Sequence, residues 1–332
     1  MTVRCRTAGV TVSVDSRDPH WLALAAEACA GRALGAGPSE VDVVVEPAGA
    51  PDLDGLRVVT RGALAGDERV VLADACGSGL DLELALSGGR LRVRAWPRPT
   101  WRHRGLGALA PERRVLLHRA ALIQYPALWW AGLSGLAPLH VCAATVSGTA
   151  VLLAGPGGVG KSTLLGTLGA GDVAVSDNLC AGDASRVHAL VEPIRDEQGE
   201  GRRMPHGRRE RAWTDPADSL APERVIVLRR GTGNDLVVNP VPPGLAAREL
   251  VAGTYAAGEL RRYWAFAATV ALGLGRGPAH PPVAAVAGAI TDAVPCTIVE
   301  LPSVPGTTLA EIVQRAAQAD GGRLTAQNGQ VR

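Results

Sequence analysis

Residues 149–163 read Thr-Ala-Val-Leu-Leu-Ala-Gly-Pro-Gly-Gly-Val-Gly-Lys-Ser-Thr, and this stretch decides the fold. Thr149 to Leu153 is a short apolar run of the buried-strand type. Gly155, Gly157, Gly158, Val159, Gly160, Lys161, Ser162 and Thr163 then complete, with Pro156, the spacing GxxxxGK[ST] of a Walker A loop. At this glycine content, a chance match is expected roughly 0.001 to 0.002 times in a chain of this length. Ser162 to Leu168 is helix-compatible and is closed by Gly169 and Gly171. Strand, glycine loop and helix is the order such a loop requires. Glycines reach backbone conformations closed to other residues and turn their N–H groups inward, where a helix N-terminus helps them hold phosphate oxygens. Lys161 is then expected to reach the β and γ phosphates of a nucleotide, and the Ser162 hydroxyl suits Mg²⁺. Of the 34 basic residues, 33 are Arg, and Lys161 is the single lysine. A compact ammonium fits a closed loop, whereas a guanidinium fork is wider and has fixed donor directions.

Sixteen residues beyond Lys161 stands Asp177, at the end of the apolar run Val173-Ala174-Val175. A carboxylate at the C-terminal end of a strand beside such a loop is placed to hold Mg²⁺ or to accept a proton from an incoming hydroxyl. Upstream, Leu139 to Val146 is strand-like and is joined by Ser147-Gly148 to the strand that feeds the loop, with His140 opening this hairpin. One lysine leaves no room for the [NT]KxD guanine-recognition motif, which excludes a Ras-like GTPase. Leu86-Ser87-Gly88-Gly89-Arg90 looks like the signature of ABC transporter ATPases but precedes the loop instead of following it. It reads better as a hairpin turn between the alternating runs Leu80 to Leu86 and Leu91 to Ala95.

The chain has 332 residues, 47% hydrophobic and 20% charged, enough for one large or two ordinary globular domains and unlike a disordered or fibrous sequence. Its formal net charge of +2 supplies no global field for nucleic acid or an anionic membrane, so neither is expected as a partner. Six scattered cysteines show no zinc spacing, and no stretch reaches the roughly 18 apolar residues of a membrane span. Reduced thiols and a cytoplasmic location are the expectation.

Outside the loop, residues 1–95 alternate strand-like runs (Val10 to Val14, Val41 to Val45, Leu56 to Val59, Val70 to Leu72, then the hairpin) with a helix from Trp21 to Leu34. This reads as a small α+β domain. Residues 96–114 are Pro- and Arg-rich and read as a connector, with Pro111 to Trp130 a helix interrupted or kinked at Pro126. Residues 115–318 are expected to form the catalytic core, and 319–332 a polar, frayed tail. Within the core, residues 196–213 are the most polar segment, read as a solvated loop or as a mobile lid. In the lid reading, Arg208 and Arg209 grip a phosphoryl group or an acidic acceptor. Val225 to Leu228, Leu236 to Val238 and Cys296 to Leu301 read as strands, and Leu245 to Leu274 and Val283 to Val294 as helices.

From about Leu133 to Cys180 the sequence resembles the HPr kinase/phosphorylase-like family. The resemblance rests on His140, the loop Gly155 to Thr163, the segment Gly-Asp-Val-Ala-Val-Ser-Asp-Asn (171–178) and, more weakly, Ala293 to Leu301. It implies an α/β fold whose P-loop kinase core is related to phosphoenolpyruvate carboxykinase. It also implies an ATP- and Mg²⁺-dependent enzyme that phosphorylates a serine-type or alcoholic hydroxyl of a peptide or small molecule. By the same resemblance Lys161 and Ser162 match the nucleotide and metal positions, His140 matches the histidine before the loop, and Asp177 matches the first of two paired aspartates. The second is Asn178 here, which can coordinate Mg²⁺ through its carbonyl oxygen but carries no charge and cannot act as a base. The glycine-rich signature of true HPr kinases is missing, which points to relatives from biosynthetic clusters, whose substrates include precursor peptides. Family members are often homo-oligomers. The alternative raised by Asn178 is a nucleotide-binding regulator or assembly partner with weakened transfer chemistry.

Overall fold

Leu80, Leu82 and Leu84 on one strand and Leu91, Val93 and Ala95 on the next are all buried, the period-two signature of a half-buried hairpin. Between them Gly88 (φ 58°) and Gly89 (φ 71°) make the two-residue turn, with the positive φ at both central positions that such a turn requires. The computed structural model describes residues 1–196, 199–204, 207–304 and 306–329. These form a mixed α/β protein with several sheets, divided into two compact units.

The first unit comprises residues 1–136, 190–214 and 259–281. Its elements are β1 (Thr2–Thr7), β2 (Val10–Ser16), α1 (Pro19–Cys29), β3 (Val41–Val45), β4 (Arg57–Thr60), β5 (Ala63–Ala65), β6 (Arg69–Leu72), β7 (Leu80–Ser87) and β8 (Arg90–Pro97). They are followed by α2 (Trp101–Leu109), α3 (Pro111–Arg119), a π-helical turn (Ala120–Gln124), α4 (Tyr125–Leu133), β15 (Ile194–Asp196), β16 (Arg209–Arg211) and α7 (Tyr263–Leu274). Eight strands make one sheet in the order β1-β2-β3-β8-β7-β6-β5-β4, parallel at β2–β3 and β3–β8 and antiparallel elsewhere. Helix α4 packs on β2, β3 and β8, and α7 on β4 to β7. Gly273 lets α7 approach β6 closely, because a Cβ there would lie 2.6 Å from Val70 Cγ2.

The second unit comprises residues 137–189, 215–258 and 282–332. It contains β9 (Ala137–Leu139), β10 (Cys142–Val146), β11 (Thr149–Ala154), α5 (Lys161–Leu165), β12 (Val173–Ser176), β13 (Cys180–Gly182) and β14 (Val187–Ala189). Then come β17 (Ser219–Leu220), β18 (Arg224–Arg230), β19 (Val237–Pro240), α6 (Pro243–Ala256), α8 (Val283–Ala293), β20 (Cys296–Leu301) and α9 (Leu309–Gly329). A six-stranded sheet runs β12-β10-β11-β18-β20-β19, with β11, β18 and β20 parallel, and a four-stranded sheet runs β17-β14-β13-β9. The central strands are nearly continuous runs of Val, Ile and Leu, as expected where both faces are covered.

Several expectations need correction. The compact units do not follow the linear division at 95 and 115: residues 96–136, 190–214 and 259–281 all belong with the N-terminal sheet. The physical reason is burial, since α4 and α7 spend their apolar faces on that sheet and Val191 N donates to Thr7 Oγ1 at 2.8 Å. Helix α1 stops at Cys29, short of Leu34, because Ala30 (φ 50°) and Gly31 (φ 90°) turn the chain left-handed. Around Pro126 the helix is re-formed, not broken: the π turn just before it absorbs the missing N–H, and Pro126 falls in the first turn of α4. Helix α5 ends at Leu165 and not Leu168, at Gly166. Of the tail residues 319–332, those up to Gly329 lie in α9, and 330–332 lie outside the described residues. β1, β5 and the short strands β13 to β17 have no counterpart in the strand runs read from the sequence. Among the described residues no helix is long and apolar enough to cross a membrane, and all six cysteines are free thiols.

Candidate functional site

In the second unit two chain segments change sheets side by side. One runs from β9 through His140 and Val141 into β10, and the other runs from β12 through Asp177, Asn178 and Leu179 into β13. β10 pairs antiparallel with β12, and β9 with β13, so the two crossovers travel together in opposite directions. Their residues are almost fully buried: His140 is 7% exposed, Asp177 3% and Asn178 8%. Cys142 Sγ donates to Asp177 O, which stitches the crossovers to each other. Ser176 Oγ donates to Leu179 O at 2.7 Å and closes the turn around Asp177.

The glycine loop leaves the C-terminal end of β11 at the same edge, since Cys142 pairs with Leu153. Gly155 (φ 139°) is held against β18, where a Cβ would come 2.6 Å from Leu228 O, so glycine is required by proximity as well as by φ. Gly158 (φ 76°) and Gly160 (φ 117°) complete the turn, whereas Gly157 faces open space. Val159 is buried, Ser162 half-buried and Thr163 exposed. Lys161 is buried, its Nζ donating to Gly155 O at 2.8 Å and Pro156 O at 3.2 Å. The ammonium therefore lies inside the curve of the loop, where an anion cradled by that backbone would meet it.

His140 is fixed from α6. Its N–H donates to Thr254 Oγ1 at 3.0 Å, and its Nδ1 lies 3.1 Å from Gly253 O. Gly253 in turn faces the loop, 3.7 Å separating the position of a Cβ there from Gly155 O. Lys161 and His140 thus sit on the carbonyl oxygens of two neighbouring glycines. Sequence reasoning did not find Gly253 or Thr254, which are ordinary small residues within a helix. It also missed Arg230 at the C-terminal end of β18, whose Nη2 donates to Gly158 O at 2.7 Å and adds a second cation to the loop.

Residues that could hold a metal ion here are Ser162 and Asp177, an all-oxygen set of the kind Mg²⁺ selects. Among the described residues no group of three His, Cys, Asp or Glu could form a protein cage.

Arg208 and Arg209 belong to the first unit. The segment carrying them is pinned as a ribbon: β15 pairs with β16, Glu210 forms a buried two-oxygen pair with Arg119, and Trp213 Nε1 donates to Glu192 O at 2.7 Å. Arg209 Nη1 donates to Gly201 O at 3.1 Å. His206 of this segment lies outside the described residues. A cavity of about 480 Å³ between α1 and the ribbon is lined by Glu27, Arg202 and Glu210. Its charges are matched, as Glu27 pairs with both Arg119 and Arg202.

No family model matches the chain, and no curated protein matches it. Among solved structures it is similar to the Hpr(Ser) kinase/phosphatase from Coxiella burnetii, at 11% identity over 58% of this chain and 95% of that one, with a TM-score of 0.29. So loose a likeness leaves the reading of the site to the chain's own geometry.

Proposed function

We propose that the protein is an ATP-dependent kinase that transfers the γ-phosphoryl group to a serine-type or alcoholic hydroxyl of a peptide or small molecule. The observation that carries this reading is the glycine loop with Lys161 drawn onto Gly155 and Pro156, at the sheet edge that also holds His140 and Asp177. Backbone N–H groups of the loop and the Lys161 ammonium bind the phosphates, exchanging loop carbonyls for phosphate oxygens. Mg²⁺, held by Ser162 and Asp177 with the nucleotide, would neutralise phosphate charge. Asp177 takes the proton of the acceptor hydroxyl as the new O–P bond forms and the bond from Pγ to the β-phosphate oxygen breaks, releasing ADP. His140, anchored on Gly253, orients this acidic crossover.

A second reading, a nucleotide-binding regulator, is favoured by Asn178, whose Nδ2 is buried with no hydrogen-bond partner among the described residues, where a second carboxylate would complete the pair. One experiment tests both. Peptide and small-molecule fractions are incubated with MgATP and either wild type, Lys161→Ala or Asn178→Asp, and phosphate adducts are read by mass spectrometry. The kinase reading expects an adduct with wild type and none with Lys161→Ala. MgATP binding without any adduct, in wild type and Asn178→Asp alike, would replace it by the regulator.

A further inference from the structure

Helix α2, Trp-Arg-His-Arg-Gly-Leu-Gly-Ala-Leu, buries none of its nine residues. Trp101 is 76% and Leu109 88% exposed. A helix this short does not hold itself in water, and it is fixed from one side by His103. The Nδ1 of His103 lies 3.1 Å from Thr100 N and 2.9 Å from Thr100 Oγ1, and its Nε2 lies 3.2 Å from Asp74 Oδ1. Its ring rests against Gly79, where a Cβ would come 3.2 Å from its Cγ.

At about 100° per residue, Ala108, Trp101, Gly105 and Leu109 share an arc of about 100°, and His103 lies diametrically across from it. The anchored face is turned inward and the apolar arc outward. Arg102 borders the arc on one side, stacked 5.3 Å from the Trp101 ring, and Arg104 borders it on the other. In the middle, Gly105 has no atom within 4 Å of where a Cβ would stand, leaving a notch of bare backbone between Trp101 and Leu109. From Arg98 to Arg114 there are five arginines against one acid, Glu112. Among the described residues, only Arg98 of these five has its charge matched by a carboxylate, Asp81 at 3.0 Å.

We propose that this face of α2 docks an acidic peptide segment of a partner protein, one that sets an apolar side chain into the notch between Trp101 and Leu109. Trp and Arg are the residue types that carry most interface energy, and the surplus positive charge selects an acidic partner. Two large apolar side chains on about 13 Å of helix are too little for a bilayer surface, while the notch is the size of one side chain. The proposal does not depend on the kinase reading.

To test it, a random dodecapeptide phage library is panned on the full chain and counter-selected at each round on Trp101→Ala/Leu109→Ala. Enriched sequences are expected to be acidic with an aromatic or aliphatic residue. The synthesised peptide should lose at least about tenfold in affinity on Trp101→Ala/Leu109→Ala, and independently on Arg102→Glu/Arg104→Glu, and should weaken with added salt. All four side chains are at the surface, so circular dichroism should match wild type; if the apolar pair fails to fold, the charge-reversal pair decides. No enrichment, neutral or basic sequences, equal binding to the variants, or stronger binding to phosphatidylglycerol vesicles than to the peptide would overturn the proposal.

Discussion

Alanine at Gly155 and alanine at Gly157, two residues apart in one loop, are expected to have opposite outcomes. A Cβ on Gly155 would stand 2.6 Å from Leu228 O and 3.3 Å from Val159 Cγ1, at a φ of 139°. Leu228 O cannot retreat, because β18 is paired on one side with β11 (Ala154 opposite Val227) and on the other with β20 (Leu228 opposite Val299). Strained φ costs about 1–3 kcal/mol, and forcing a methyl group against fixed backbone adds about 1–3 kcal/mol. Gly155→Ala should therefore lose roughly 2–6 kcal/mol of stability. Gly157 has nothing within 4 Å and no left-handed φ, so Gly157→Ala should stay within about 0.5 kcal/mol of wild type. Urea denaturation followed by far-ultraviolet circular dichroism measures both. Because Gly155 O also receives Lys161 Nζ, Gly155→Ala should weaken MgATP binding as well. Equal stability of the two variants would refute the close contact between the loop and β18.

Two further outcomes follow from the first unit. Burial holds the His118 imidazole down at about 4, below its ordinary 6.5, against the opposing hydrogen bond to Ser78 O. The folded protein keeps it neutral while the unfolded chain takes up a proton below about pH 6.5. Its contribution is therefore complete above that pH and is lost as pH falls toward about 4, amounting to about 2 kcal/mol by about pH 5. Stability measured at about pH 7 and pH 5 should show this loss, and His118→Gln should flatten it; an unchanged pH slope in the variant would count against the assignment. At the α7–β6 contact, Gly273→Ala should cost about 1–3 kcal/mol by meeting Val70, and Val70→Ala in the same chain should restore most of it. A double-mutant cycle with no coupling would show that the two do not touch.

What the sequence made legible was local. The Gly155–Thr163 loop and the Gly88-Gly89 hairpin turn each carry their conformation in adjacent residues, so spacing sufficed for both. Asp177 was within reach because it ends the apolar run Val173-Ala174-Val175, which forms β12. The grouping of α4, β15–β16 and α7 with the N-terminal sheet was hidden, since an apolar periodicity says that a face is buried and not what covers it. β5 is Ala-Leu-Ala, too short and too small to announce a strand. His140 could be singled out only by resemblance; its setting depends on the β10–β12 register and on Thr254, 114 residues away. Arg230 was one arginine among 33 until β18 brought it to the Gly158 carbonyl.

The solitary lysine has a practical side. All seven tryptophans (Trp21, Trp96, Trp101, Trp129, Trp130, Trp213 and Trp264) belong to the first unit, and the only lysine belongs to the second. The chain is therefore already labelled in two colours. Tryptophan fluorescence reports on the eight-stranded half alone, and selective nitrogen-15 lysine incorporation yields a single side-chain resonance from the other half, located inside the glycine loop. Each half can be followed through titration or unfolding without introducing a probe.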